Sequence, residues 1–166
     1  MSFSPIQVKL DAEHYAAIRA QVRQTEIGIV APALLAEVHE WLTKHRIATT
    51  GPALIRYLSI DTDSQIMDVH IGFPIAQHTA LHERVEFSVK PAGTYLIAIH
   101  RGPYDSLHKT TAMLLGWARE HAVRLLTQQN SSQENWTGRF EHYLIGPNNE
   151  RDPRHWHTEV AILRAT

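Results

Sequence analysis

The chain presents one plan twice. Each half reads as a strand, an amphipathic helix and two further strands, with pseudo-repeats over about residues 10–75 and 83–164. The first helix ends Glu40–Trp41–Leu42–Thr43–Lys44–His45 and the second Leu115–Gly116–Trp117–Ala118–Arg119–Glu120–His121. A strand with a tyrosine follows each, carrying Tyr57 and Tyr143, and each half closes with another apolar strand. Residue identity between the halves is weak, so the duplication is read from element order. Duplicated units pack about an approximate two-fold axis, and the seam between them is a natural place for a ligand cleft.

Local patterns fill in this plan. Ile6, Val8 and Leu10 mark a short extended lead, and residues 14–23 alternate as a strand. Pro32 suits the first turn of a helix, and Leu34, Leu35, Val38, Trp41, Leu42 and His45 follow at spacings of three and four, which gives one buried helical face. Residues 53–60 and 65–73 form a hairpin around the turn Asp61–Thr62–Asp63–Ser64. In the second half, residues 83–89 are extended, Tyr95, Ile97 and Ile99 lie in an apolar strand, and a helix starts near Asp105. Leu107, Thr111, Leu114, Ala118, His121, Ala122 and Leu125 form its stripe. Residues 127–135 are polar and low in complexity, the composition of a mobile loop. Strands over 139–145 and 157–164 complete the chain. The expected fold is α+β, a duplicated β-α-β-β module with an antiparallel sheet, two main helices and a cleft between the halves. No linker divides residues 1–166, so one domain is expected.

Charge and composition narrow the function classes. Sixteen basic and 17 acidic residues leave a formal net charge of −1, which gives no bulk attraction to nucleic acid or an anionic membrane. No apolar run reaches the length that spans a bilayer. The start, Met1–Ser2–Phe3–Ser4–Pro5, lacks the basic and apolar regions of a signal peptide, so a cytoplasmic location is expected. With Cys 0 there is neither disulfide nor thiolate chemistry. His 12 is high for this length, and His78 and His82 have the i, i+4 spacing of two helical metal ligands. Zinc needs three or four convergent ligands, however, and no glutamate completes the zinc-protease motif. No metal and no cofactor are expected. Nucleophile-elbow, phosphate-loop and dinucleotide motifs are absent.

Glu159 stands out in the last strand, Thr158–Glu159–Val160–Ala161–Ile162–Leu163. Alternation puts it on the face of Ala161 and Leu163, and both faces are mainly apolar. A covered carboxylate is costly unless paired or wet. It either pairs with an Arg or His of a neighbouring strand or serves a ligand. Tyr143 is either a core tyrosine with a satisfied hydroxyl or a cleft wall. Tyr57 is its first-half counterpart, Phe73 lies near the position mirroring Glu159, and Trp156 precedes the last strand. Core or hairpin packing is the competing account of these three. Tyr104 reads as a turn-and-packing residue, and Trp41 and Trp117 as core.

Three segments resemble the GyrI-like domain, the effector-binding domain of multidrug-responsive bacterial transcription activators. They are Gly93–Thr94–Tyr95–Leu96–Ile97–Ala98–Ile99–His100–Arg101–Gly102–Pro103–Tyr104–Asp105, then Phe140–Glu141–His142–Tyr143–Leu144–Ile145–Gly146–Pro147, then Trp156–His157–Thr158–Glu159–Val160–Ala161–Ile162. The similarity spans roughly residues 10–164 and is looser in the first half. It implies a cleft for cationic, aromatic ligands with Glu159 at its base, Tyr143 beside it, and Tyr57, Trp156 and Phe73 as further walls. A carboxylate attracts a cation, and aromatic faces add about 0.5–2 kcal/mol each. The implied function is stand-alone binding of amphipathic or cationic aromatic molecules for sensing, sequestration or protection. A second reading, implied by hydrolases in the wider family, is hydrolysis of electrophilic cyclopropane-containing molecules with Glu159 and Tyr143. A third is a protein-binding role like that of the family's gyrase-inhibiting namesake, with gyrase or a regulator as partner. Direct nucleic-acid binding and membrane association are not expected.

Overall fold

The computed structural model describes residues 3–77 and 84–166. The strands are β1 Ile6–Leu10, β2 Glu13–Arg23, β3 Leu54–Asp61, β4 Ile66–Pro74, β5 Glu86–Lys90, β6 Gly93–Arg101, β7 Thr127–Asn130, β8 Gln133–Trp136, β9 Arg139–Ile145 and β10 His157–Leu163. The helices are α1, Ile27–Lys44, and α2, Leu107–Glu120. The strands form one 10-stranded sheet whose main path runs β1-β6-β10-β9-β3-β4-β2-β5, and the ladders between these strands are antiparallel. Exchanging the halves turns this order into its own reverse, so the approximate two-fold axis passes between β3 and β9. The exchange also crosses the halves. β1 leads the first half but pairs with β6, and β5 leads the second half but pairs with β2. Only Asp11 and Ala12 join β1 to β2, and only Pro91 and Ala92 join β5 to β6. Strands far apart in the order are therefore held close together, and the sheet curls into a half-barrel.

Both helices cover one face of this sheet. Ala31, Leu34, Val38 and Leu42 recur every three or four residues on α1 and pack with Ile18, Val69 and Ile71. Leu107, Leu114 and Ala118 of α2 pack with Leu96, Val160 and Ile162. Full burial of each leucine, isoleucine or valine stabilises by about 1.5–3 kcal/mol. The opposite face carries its own cluster, including Tyr15, Ala17, Leu54, Tyr95, Phe140 and Ala161.

The helices also end alike. His45 Nδ1 lies 2.8 Å from the Trp41 carbonyl and His121 Nδ1 lies 2.9 Å from that of Trp117. Because a carbonyl only accepts, Nδ1 carries the proton in both rings. The rings stack at 4.0 and 3.9 Å. Arg46 and Ala122 then take positive φ of 57° and 53°, the left-handed residue that closes many helices.

Three expectations change. The first helix starts at Ile27, with Pro32 inside it, because Ile27 and Ala31 extend the same apolar stripe one turn earlier. The second ends at Glu120, so His121, Ala122 and Leu125 fall outside it. Residues 127–135 are not a free loop. β7 and β8 form a hairpin there, and Gln133, Glu134 and Asn135 pair with Asp61, Ile60 and Ser59 of β3. Cross-strand pairing, not local propensity, makes these polar residues strands. The His78/His82 pair lies outside the described residues. Among the described residues, no three His, Asp or Glu side chains gather into a metal-binding group.

Candidate functional site

A cleft of about 1480 Å³ opens on the helix-bearing face, between α1 and α2. Gly28, Ala31, Pro32, Leu35, Ala36 and His39 line it from α1. Tyr104, Leu107, His108, Thr111, Ala112 and Leu115 line it from the other side, and their spacing is identical. The duplication thus builds two walls from equivalent positions, and β3 and β9 supply the floor on either side of the axis.

Alternation on β9 sends Arg139, Glu141 and Tyr143 to the cleft, and on β3 it sends Ile55 and Tyr57 there. Glu141 is the centre of a hydrogen-bonded group. Its Oε1 accepts from the Tyr57 hydroxyl at 2.8 Å and from the Tyr143 hydroxyl at 2.6 Å. Its Oε2 accepts no hydrogen bond from a described residue. Burial first, and then the Glu141 charge, push both phenols well above the ordinary tyrosine value, so both stay protonated donors. Arg139 lies 5.5 Å from the Tyr57 ring centroid and 4.8 Å from that of Trp136. Burial pulls its guanidinium downward, against Tyr57, Glu141 and Glu134. Glu134 also lines the cleft, and Trp136 Nε1 donates to it at 3.4 Å. Tyr104 packs edge-on against Tyr143 at 5.6 Å. The floor is therefore an aromatic surface set with two carboxylates and one guanidinium.

Of the residues singled out in the sequence, Tyr57, Tyr143 and Phe73 line this cleft. Trp156 does not. It stands behind Tyr104, with ring centroids 4.8 Å apart, and its indole N–H donates to the Glu150 carbonyl at 2.8 Å. Tyr104, expected to be a turn-and-packing residue, packs on Tyr143 and Trp156 from the turn before α2 and also lines the cleft.

Glu159, expected at the cleft base, lies on the other face of the sheet. It pairs in register with His142 and Ile99, while Val160 and Ile162 face the helix side. Register also corrects its counterpart. Gly72 sits opposite Leu54 as Ala161 sits opposite Phe140, so Glu159 corresponds to His70, and Phe73 to Ile162. Around Glu159 is a polar cluster centred on Lys90, which is only 6% exposed. The Lys90 ammonium donates to His142 Nε2 at 3.1 Å and lies 4.8 and 5.1 Å from the Tyr95 and Phe140 ring centroids. Burial lowers the Lys90 value, against the charges of Glu159 and Glu13. Burial also raises the Glu159 carboxyl, opposed by Lys90. Lys90 acts on Glu159 as a neighbouring charge, and no ion pair between described residues reaches Glu159 within 4.0 Å.

Sequence reasoning passed over Glu141, Arg139 and Glu134. The signal for Glu141 was its place two residues before Tyr143, which puts both on one face of one strand.

A family model described as the GyrI-like small molecule binding domain matches residues 4–163. No curated protein matches the chain. Among solved structures, the crystal structure of the EcmrR C-terminal domain is similar at 22% identity and a TM-score of 0.71, over 100% of this chain and 99% of that one. EcmrR in a complex with DNA is similar at 20% identity and a TM-score of 0.78, over 99% of this chain, which spans 58% of EcmrR. SAV2435 bound to tetraphenylphosphonium shares 11% identity at a TM-score of 0.62, covering 98% and 94%. A hydrolase from Listeria innocua shares 11% at 0.57, covering 97% and 91%. At these identities the likeness shows the fold alone.

Proposed function

The chain belongs to the GyrI-like family of small-molecule-binding domains, and from that premise we propose that its cleft captures amphipathic, cationic aromatic molecules, for sensing, sequestration or protection. The observation that carries this is the state of Glu141. One carboxylate oxygen is saturated by two phenols and the other is open to an aromatic-lined cleft. The phenols fix the carboxylate in place, so a cation meets a charge already oriented, and ring faces add stacking and cation–π contacts. Tetraphenylphosphonium, the aromatic cation bound to SAV2435, fits that chemistry. Glu141 takes the charge-pairing role first expected of Glu159, Tyr57 and Tyr143 hold it, and Phe73 and Tyr104 form walls.

The test is calorimetric titration with tetraphenylphosphonium and with neutral triphenylphosphine oxide. Glu141→Gln weakens the cation by about tenfold, corresponding to about 1.4 kcal/mol, and leaves the neutral compound nearly unchanged. Equal loss of both compounds removes the charge-pairing role.

The same carboxylate supports a second reading, hydrolysis of an electrophile. Glu141 Oε2 has the open geometry of a general base, and Tyr57 and Tyr143 are held as phenols beside it. Consumption of a cyclopropane-containing electrophile, followed by mass spectrometry and lost in Glu141→Gln, distinguishes turnover from capture.

A further inference from the structure

Arg139 lines the cleft with a guanidinium to which no described residue offers a hydrogen-bond acceptor. Two other arginines of the sheet, the partly buried Arg56 and the exposed Arg19, have their terminal nitrogens engaged. Arg56 donates to the Tyr15 hydroxyl at 3.0 Å and to the carbonyls of Val89 and Thr137 at 3.1 and 2.8 Å. Arg19 reaches Asp68 at 2.6 Å. Arg139 forms no hydrogen bond with a described residue and has no described carboxylate within 4.0 Å. The neighbouring carboxylates do not turn to it, since Glu141 Oε1 receives two phenols and Glu134 receives the Trp136 indole. Its ring partners, Tyr57 and Trp136, contact the guanidinium through π faces. They satisfy charge but not its N–H donors, which stay available to a ligand in the cleft. The guanidinium carries five donors in a planar fork that matches a carboxylate or sulfonate two bonds at a time.

We propose that the preferred ligand carries an oxyanion as well as a cationic aromatic body, and that Arg139 selects for it. This rests on the cleft being the ligand site and names the class of ligand more narrowly. Arg139 and Glu141 are two residues apart on β9, about 7 Å along the strand. An aromatic zwitterion with its carboxylate and cationic nitrogen a ring system apart spans both. Such a ligand meets Arg139 through its oxyanion and Glu141 Oε2 through its cation, with its rings on Tyr57, Phe73 and Tyr104. A purely cationic aromatic leaves the guanidinium donors unmet and brings like charge beside them.

Fluorescence anisotropy with two matched dyes tests this. Rhodamine 110 is a zwitterion with a free carboxylate, and rhodamine 123 is its methyl ester, a cation of the same ring system. The wild-type protein is expected to bind the acid about tenfold more tightly than the ester, the ratio one charge-assisted hydrogen-bonded pair supplies. Arg139→Gln abolishes that preference with little change for the ester, and Arg139→Lys keeps part of it. An ester bound as tightly as the acid by the wild-type protein overturns the proposal and leaves the cleft as a cation site. A preference that survives in folded Arg139→Gln overturns it too. If neither dye binds, the cleft reading itself fails and the proposal falls with it. The wild-type comparison decides even if the variants do not fold.

Discussion

Pro32 and His39 on α1 occupy the places that His108 and Leu115 occupy on α2, and Gly28 stands where Tyr104 stands. At the axis, Ile55 of β3 lies directly opposite Glu141 of β9, so the counterpart of the central carboxylate is a hydrocarbon. The first half contributes mainly apolar wall, including Ile27, Leu35, Ile55, Met67 and Phe73, while Glu134, Arg139 and Glu141 all come from the second. Duplication produced the shape of the cleft, and divergence on one side of the axis produced its charge. A symmetric cleft with two carboxylates facing each other would repel itself. Placing one of them opposite Ile55 avoids that.

The largest asymmetry to probe is steric. A Cβ built on Gly72 would meet the Ala16 carbonyl oxygen at 1.9 Å, whereas its counterpart Ala161 carries a methyl in a packed cluster. Gly72→Ala is expected to destabilise by about 3 kcal/mol, the upper range of overpacking. Ala161→Gly costs about 1 kcal/mol. Urea denaturation of both variants checks this, and equal losses would mean the halves pack alike.

Next come the two phenols. Tyr57 and Tyr143 donate to the same oxygen from opposite halves, so Tyr57→Phe and Tyr143→Phe should each weaken a cationic ligand by a similar factor, about fivefold for one lost bond of about 1 kcal/mol. Calorimetry showing an effect for Tyr143 alone would confine the site to the second half.

A smaller effect concerns the opposite face. His70 is held at about 4 by burial, then by Arg56 and Arg19 against Asp68, and His142 at about 3 by burial and then Lys90. Glu86 lies 3.8 Å from His70, and Glu159 faces His142 in register. Both values are below the 6.5 of an ordinary histidine, so below that pH the unfolded chain takes up protons that the folded one excludes. Stability is complete above about pH 6.5 and falls as pH drops toward the folded values. Melting temperatures between pH 7 and 4 should show this decline, and His142→Gln should flatten it. The least effect is expected from Glu159→Gln, with cationic-ligand affinity within about twofold of wild type because the residue is across the sheet from the cleft. A tenfold loss would restore Glu159 as a ligand partner.

Much of this architecture was legible. The Trp–His helix ends, the paired tyrosine strands and the closing hairpins follow from periodicity and turn chemistry, and Tyr57, Tyr143 and Phe73 reach the cleft. What was not legible depends on facts outside any one segment. Alternation puts Glu159 with Ala161 and Leu163, but it does not say which face the helices cover. Residues 127–135 show no strand pattern because their order comes from pairing with β3. Pro32 looked like a helix start because nothing local shows that Ile27 and Ala31 have an apolar sheet to lie on. The crossing of β1 and β5 between halves leaves no trace in either repeat.

That crossing governs how the chain can assemble. As the protein emerges from a ribosome, Ile6 must wait for Ile97 and Tyr15 for Ser88, an interval of several seconds at about 5–20 residues per second. Neither half can complete its sheet alone, since each carries the strand that closes the other. Severed between residues 77 and 84, the two fragments would be incomplete apart and each other's obligatory complement, so the duplication behaves as a dimer whose subunits happen to share one chain.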